Sequence, residues 1–396
     1  MKIHTTSAGE GLKEIADLYE VSEENIRNVN ELFGGEPATG EELLIIKPTR
    51  TYRVQFGDTP ERIALRFGVR RDEIFQNNPW IIGRPLKEGE ELTLKASEKP
   101  CGMAVSNGYF YKDCNGEKLL RTMPYLTYIT FASAVADNKG IKRLFNDKAF
   151  VEMALQRRKI PLVRIYDKFN DRYKGDKDLS AFAEEIIAFA TAGGYKGIVL
   201  NSCRNFDSAQ FYSSFLVALR KLMIGCDLIL ITEIGENSPI EFSEYADGSV
   251  IYYPKFAEDN APSFDDGERK LLSDFACKGE SAKAFIDLPS LASVGRDFCC
   301  ISDALSKARR SGYRIDKNEN TLLSSFNDRK QGEIRFSSME SLKRVFDLID
   351  EFDYMGICFD IMRAPLYQIM MYNSLFKTSY MNGVRTREGC SRGVEE

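Results

Sequence analysis

Apolar residues recur along this chain in two rhythms, and the change of rhythm divides it. In the N-terminal part, two successive stretches pass from strand alternation to a helical face and back. Tyr52-Arg-Val-Gln-Phe alternates as a strand, and Ile63, Ala64 and Phe67 then share one helical face. Thr59 is placed to cap that helix, with Pro60 at its first position, where a missing N–H costs nothing. Ile15, Ala16 and Tyr19 give the same face earlier, and Ile26-Arg-Asn-Val-Asn matches Ile74-Phe-Gln-Asn-Asn. Each copy closes on a glycine and an apolar strand, Gly40-Glu-Glu-Leu-Leu-Ile-Ile and Gly89-Glu-Glu-Leu-Thr-Leu. The pattern predicts strand-helix-helix-strand twice, over 1–48 and 50–96, followed by a short polar link to Pro100.

Beyond that link, short apolar runs alternate with helical patterns. The runs begin near Ala104, Leu126, Pro161, Gly197, Asp227, Ser249, Ala284 and Tyr354. Between them, Leu179, Phe182, Ala183, Ile186 and Ala190 form one apolar helix face ahead of the Gly193-Gly194 stop, and Phe211, Phe215, Leu219 and Leu222 form another. Ser337 and Glu340 have capping-box spacing ahead of a third. Strands apolar on both faces, each followed by a helix, indicate a parallel sheet. Eight such units fit a closed (β/α)8 TIM barrel over 101–384 better than a doubly wound sheet, because no glycine-rich phosphate loop follows the first strand. Residues 385–396 read as a polar tail.

Composition narrows the chemistry. A formal net charge of -5 provides no basic surplus for nucleic acid, and no apolar run approaches the ~18 residues of a membrane span. Met1-Lys-Ile-His-Thr-Thr lacks the apolar core of an export signal, so cytoplasmic synthesis without a signal peptide is expected. Nine cysteines without CxxC spacing read as free thiols rather than as a zinc site. The single histidine, His4, leaves histidine-based hydrolysis and histidine-rich metal sites without support, and no cofactor is called for. Any catalysis would fall to carboxylates, tyrosines or lysines.

A barrel places working residues at the C-terminal strand ends. Here those ends carry Tyr166-Asp167, Asn201-Ser-Cys203, Glu233, Tyr253, Asp287 and Asp360, with Arg363 after the last. Asp167, Glu233, Asp287 and Asp360 could form a carboxylate site, cap helices, or pair with Arg164 or Arg363.

The repeats resemble the LysM module through Gly57-Asp58-Thr59, Ile63-Ala64, Phe67-Gly-Val69, Asn77-Asn78-Pro79 and Gly89-Glu-Glu-Leu. The resemblance implies binding of N-acetylglucosamine-containing glycans, such as peptidoglycan or chitin. It places the ligand between Asp58-Thr59 and Asn78-Pro79, with Trp80, the only tryptophan, beside that loop. The plainer roles are a helix cap for Thr59 and packing against the next domain for Trp80. The first copy has Glu10-Gly11 and Glu31 in place of Asp-Thr and Asn.

The whole chain resembles bacterial wall-lytic proteins with a family 18 glycoside hydrolase barrel, in particular the spore cortex-lytic N-acetylglucosaminidases. Matching stretches are Asn107-Gly-Tyr, Tyr125-Leu-Thr-Tyr-Ile, Gly194-Tyr-Lys-Gly-Ile, Leu288-Pro289 and Met355-Gly-Ile-Cys-Phe. The family's strand-four motif, DxxDxDxE, carries the acid that protonates the glycosidic oxygen and the aspartate that orients the substrate's acetamido nucleophile. The four positions here are Lys196, Val199, Asn201 and Cys203. Tyr253 matches the family's strand-six tyrosine, and Asp360 takes the place of its sugar-floor tryptophan. Without the acid, a general-acid contribution of ~100- to 10,000-fold is lost.

The expected protein is a cell-wall or spore-associated glycan binder whose barrel is inactive, with peptidoglycan and spore-coat proteins as partners. The alternatives are a glycosidase using Glu233 or Asp360 as relocated acids, and Cys203 as a thiol nucleophile.

Overall fold

A computed structural model describes residues 1–33, 35–96, 102–137, 140–167, 176–201, 209–235, 240–252, 266–295, 297–318 and 322–378. The expected polar tail and most of the link to Pro100 lie outside them.

Each N-terminal repeat folds as a strand, two helices and a strand. The first comprises Lys2–Thr5, Leu12–Tyr19, Glu23–Val29 and Glu42–Ile45. The second comprises Pro48–Arg53, Pro60–Phe67, Arg71–Asn77 and Glu91–Ala96. In each, the two strands pair antiparallel and helix residues close over them: Leu12, Ile15, Ala16 and Ile26 in the first, Ile63, Ala64 and Ile74 in the second. Thr59 caps its helix, accepting the Arg62 N–H at 3.3 Å.

The remainder is a closed parallel barrel. Its strands are β1 (Gly102–Phe110), β2 (Tyr128–Asp137), β3 (Ile160–Asp167), β4 (Gly197–Leu200), β5 (Ile229–Ile234), β6 (Gly248–Ile251), β7 (Ala284–Asp287) and β8 (Gly356–Asp360). They pair in chain order, and β8 returns to β1 through Gly356↔Val105 to Asp360↔Tyr109. All eight apolar runs became barrel strands. The helix Asp176–Ala192 ends where Gly194 takes φ +75°, which lets the Tyr195 N–H reach back to the Ala190 carbonyl at 3.1 Å. Alternation along the strands then separates two apolar layers. Val105, Tyr109, Tyr128, Leu162, Val199, Ile231, Val250, Phe285 and Cys358 fill the interior, while a larger cluster lies between strands and helices.

Two details depart from the sequence reading. The helix Met339–Glu351 is capped by Ser338, whose Oγ accepts the Ser341 N–H at 3.0 Å, rather than by Ser337; the potential capping carboxylate Glu340 turns to Lys317 instead. Between β7 and β8 the chain also builds a five-stranded antiparallel sheet, from Leu291–Val294, Asp297–Cys300, Asp316–Asn318, Leu323–Asp328 and Gly332–Ser337. The pattern signals only the helix there.

The second repeat meets the barrel where its strands start. Gln76 donates to the Pro124 carbonyl at 2.7 Å, and Tyr125 donates back to the Gln76 carbonyl at 2.5 Å, both just before β2. Lys159, the residue before β3, is buried at the same end; burial lowers its pKa to about 8, with Asp72 of the repeat pulling the other way. Between about 8 and the ordinary lysine value, the unfolded chain holds a proton the folded chain has released, so stability attributable to this group rises with pH in that window. Lys159→Met should therefore stabilise the protein at pH 7, by at most about 3 kcal/mol. In urea titrations its advantage should shrink as the pH climbs from about 8 to about 10; a pH-independent difference would contradict this origin.

Candidate functional site

The C-terminal strand ends converge on one carboxylate. Glu233 ends the inward-facing series Ile229, Ile231, Glu233 on β5 and is 1% exposed. Arg164, on the inward face of β3 two residues beyond Leu162, pairs with it through two parallel bonds, Nε to Oε1 at 2.5 Å and Nη2 to Oε2 at 2.6 Å. Tyr109 of β1 donates to Oε1 at 2.9 Å, and Tyr252, just after β6, donates to the same oxygen at 3.1 Å. Asn201, just after β4, donates to Oε2 at 2.7 Å. Five strands thus contribute to one buried network.

Electrostatics follow from this closure. Burial, and then the Glu233 charge, pushes the Tyr109 and Tyr252 phenols well up, so both remain donors. Burial works against the Arg164 charge, and the facing carboxylate outweighs it. Arg164 also lies over the Tyr166 ring, 4.4 Å from its centroid. Glu233 has the burial of a relocated acid and stands beside Tyr252. It nevertheless accepts from a guanidinium and three neutral donors, so both of its oxygens are taken up by the protein.

Among the described residues, Val199, Lys196 and Asp360 are placed elsewhere. Val199 is fully buried among the apolar interior residues. Lys196 sits at the opposite end of β4 and pairs on the surface with Asp227 at 3.1 Å. Asp360 holds the turn after β8: its Oδ1 accepts the Met362 and Arg363 N–H groups at 2.9 and 3.0 Å, and its Oδ2 accepts from Arg363 Nη1 at 2.6 Å. Asp287 ends β7 level with Cys358. The side chain of Asp167, together with Cys203 and Tyr253, lies outside the described residues. Tyr252, two residues after inward-facing Val250, reaches the centre. A period-two reading carried on from Val250 would have selected it.

In the second repeat, the residues expected at the glycan loop divide into wall and surface. Asn78 is fully buried: its Nδ2 donates to the Ile74 and Thr93 carbonyls, both at 2.8 Å, and its Oδ1 accepts the Thr93 N–H at 2.8 Å. It ties helix to strand and is not open to a ligand. Asn30 makes the same three bonds in the first repeat, so Asn30, not Glu31, is its counterpart. Asp58 also faces inward, accepting from the Tyr52 hydroxyl at 2.5 Å and the Gln55 N–H at 2.9 Å; the Tyr52 bond leads in holding its pKa down. Pro79 is buried, and half-buried Trp80 packs against both its own repeat's core and the barrel's. What remains on the surface is Thr59 and, unforeseen from sequence, Phe56, which is 90% exposed beside the Gly57 turn.

With this geometry in hand, comparison with known proteins identifies the parts. Residues 52–94 are a LysM domain. A 170-residue stretch is 32% identical to the Bacillus subtilis (strain 168) protein YdhD, described as a candidate sporulation-specific glycosylase; it covers 42% of this chain and 39% of that protein's length. The fold superposes on the Bacillus megaterium QM B1551 spore cortex-lytic enzyme SleL with TM-score 0.70 and 17% identity, over 96% of this chain and 99% of that one. A chitinase from Chromobacterium violaceum ATCC 12472 aligns with 69% of this chain and 99% of its own, with TM-score 0.57 and 12% identity. The chain thus combines a LysM domain with a closed eight-stranded parallel barrel, in an overall fold that superposes on SleL and, over the barrel, on the chitinase.

Removing one partner of a buried pair leaves the other charge uncompensated, typically at about 3–5 kcal/mol. Arg164→Met should cost that much in urea unfolding, and Arg164→Met with Glu233→Gln, which keeps an acceptor for the phenols, should recover most of it. A single variant that costs under ~1 kcal/mol would show the pair to be dispensable.

Proposed function

We propose that this protein binds N-acetylglucosamine-containing wall glycan through its LysM domain and that its barrel does not hydrolyse it. The observation that carries the second half is the Glu233 network. At the strand-four positions where the family's aspartates would stand, the chain has Lys196, Val199 and Asn201, and the Glu233 carboxylate that Asn201 meets is also engaged by Arg164, Tyr109 and Tyr252. Support for the first half comes from the LysM match at 52–94, with exposed Thr59 and Phe56 on the loop ahead of its first helix. A flat exposed aromatic can cover the apolar face of a sugar ring, while neighbouring hydroxyl and backbone groups meet its acetamido substituent.

The glycan is peptidoglycan or a chitin-type polymer, and the site of action is the cell wall or the spore cortex and coat. YdhD and SleL are described by sporulation and spore cortex lysis, and likeness to them motivates that placement. Spore-coat proteins are further candidate partners on the same ground. No helix among the described residues is long and apolar enough to cross a membrane.

The protein should sediment with purified peptidoglycan, and Phe56→Ala should weaken retention on the order of tenfold, or about 1.4 kcal/mol, without changing the unfolding midpoint. Equal distribution with and without the polymer would overturn the binding reading. Incubation with muropeptides or chitin oligomers should release no reducing ends between about pH 4 and 8, a span bracketing ordinary carboxyl titration. Turnover abolished by Glu233→Gln would instead establish the relocated-acid enzyme.

A further inference from the structure

The two repeats share a fold but treat one carboxylate differently. In each, the first glutamate of the Gly-Glu-Glu-Leu turn folds its side chain back to accept a backbone N–H three residues earlier. Glu90 accepts from Lys87 at 3.2 Å, and Glu41 from Ala38 at 2.9 Å. Glu90 is neutralised within its own repeat by Arg84. Counting back five residues from the shared glycine gives Arg84 before Gly89 but Gly35 before Gly40, so the first repeat lacks that arginine.

The barrel supplies it. Arg309, on the helix Ile301–Ser311 of the insertion between β7 and β8, reaches Glu41 with Nη2 at 2.6 Å and Nε at 3.1 Å. Glu41 is 1% exposed, so without Arg309 its charge would be buried and uncompensated. The same guanidinium donates to the Glu31 and Asn30 carbonyls at 3.0 and 3.2 Å, and the Ile315 N–H donates to Thr39 at 2.9 Å. Contact there is close enough that a Cβ on Gly40, which has φ +80°, would stand 1.9 Å from the Ile315 carbonyl oxygen. Val29, Ala38, Leu44 and Ile46 belong to the barrel's own apolar cluster, whereas only half-buried Trp80 and Ala96 of the second repeat reach it. The loop before the first repeat's first helix also has a bond that the second cannot make, since Pro60 stands at the matching position: Glu36 accepts the Leu12 N–H at 3.1 Å.

We infer that the first repeat is an internal docking module completed by the barrel, its ligand loop withdrawn from glycan, so that the chain binds wall glycan through the second repeat alone. The loop that would form one wall of its sugar groove is occupied by the insertion, and the N–H that starts its first helix is taken by Glu36. The valency rests on the glycan-binding reading of the second repeat; the docking does not.

Hydrogen–deuterium exchange of the full chain tests both parts. Arg309→Met should speed exchange across residues 2–45 about tenfold or more while leaving 48–96 unchanged. Adding Glu41→Gln, which keeps the oxygen that Ala38 needs and removes the charge, should restore protection. Unchanged exchange in Arg309→Met, or equal loosening of both repeats, would overturn the docking. With a short soluble N-acetylglucosamine oligomer, one molecule should bind per chain and protect the second repeat only. Protection of residues 6–11, or two bound oligomers, would overturn the single valency. Protection of neither repeat would count against the glycan-binding reading itself, and the Arg309 variants would decide the docking alone.

Discussion

The barrel closes around an ion pair. Arg164 and Glu233 meet at the C-terminal strand ends, where a barrel of this kind places its working residues, and two phenols and an amide saturate what remains of the carboxylate. Bringing two such charges out of water is costly and is offset only by this near-complete set of bonds. The network therefore fixes the mutual positions of β1, β3, β4, β5 and β6 at their upper ends. It also fixes Asn201 by giving its amide a protein partner.

Much of the fold was legible because burial on both faces and burial on one stripe leave different periods in a sequence. All eight barrel strands, the two repeats and the helix ending at Gly194 follow from that. The insertion sheet was not legible: its strands are short, its edges polar, and pairs such as Leu323–Asp328 with Gly332–Ser337 are defined by a distant partner rather than by local period. The site was legible only in part. Glu233, and Arg164 as a partner for one of the strand-end acids, stood out as residue types, but their meeting depends on barrel closure over a long sequence separation. Tyr252 was not singled out, because its part in the network depends on which face the strand turns inward.

The repeats carry the same lesson at smaller scale. Asn78 lies in the conspicuous part of the LysM pattern, yet its three bonds hold backbone to backbone, as do those of Asn30. Motif residues can persist because they build a groove as well as because they line it. Phe56 has no counterpart in the first repeat, where Ala8 precedes the matching glycine, and so carries no motif signal. Its significance is visible only as exposure.

Arg84 and Arg309 perform one task from two addresses, and the difference bears on how such chains are assembled over time. A unit that neutralises its own buried carboxylate is transferable: it can be duplicated, moved to another protein or lost without penalty to its neighbours. Once the arginine resides in the host, the unit and host become a single inheritance. Tandem duplication here has therefore produced one exchangeable part and one that can no longer leave.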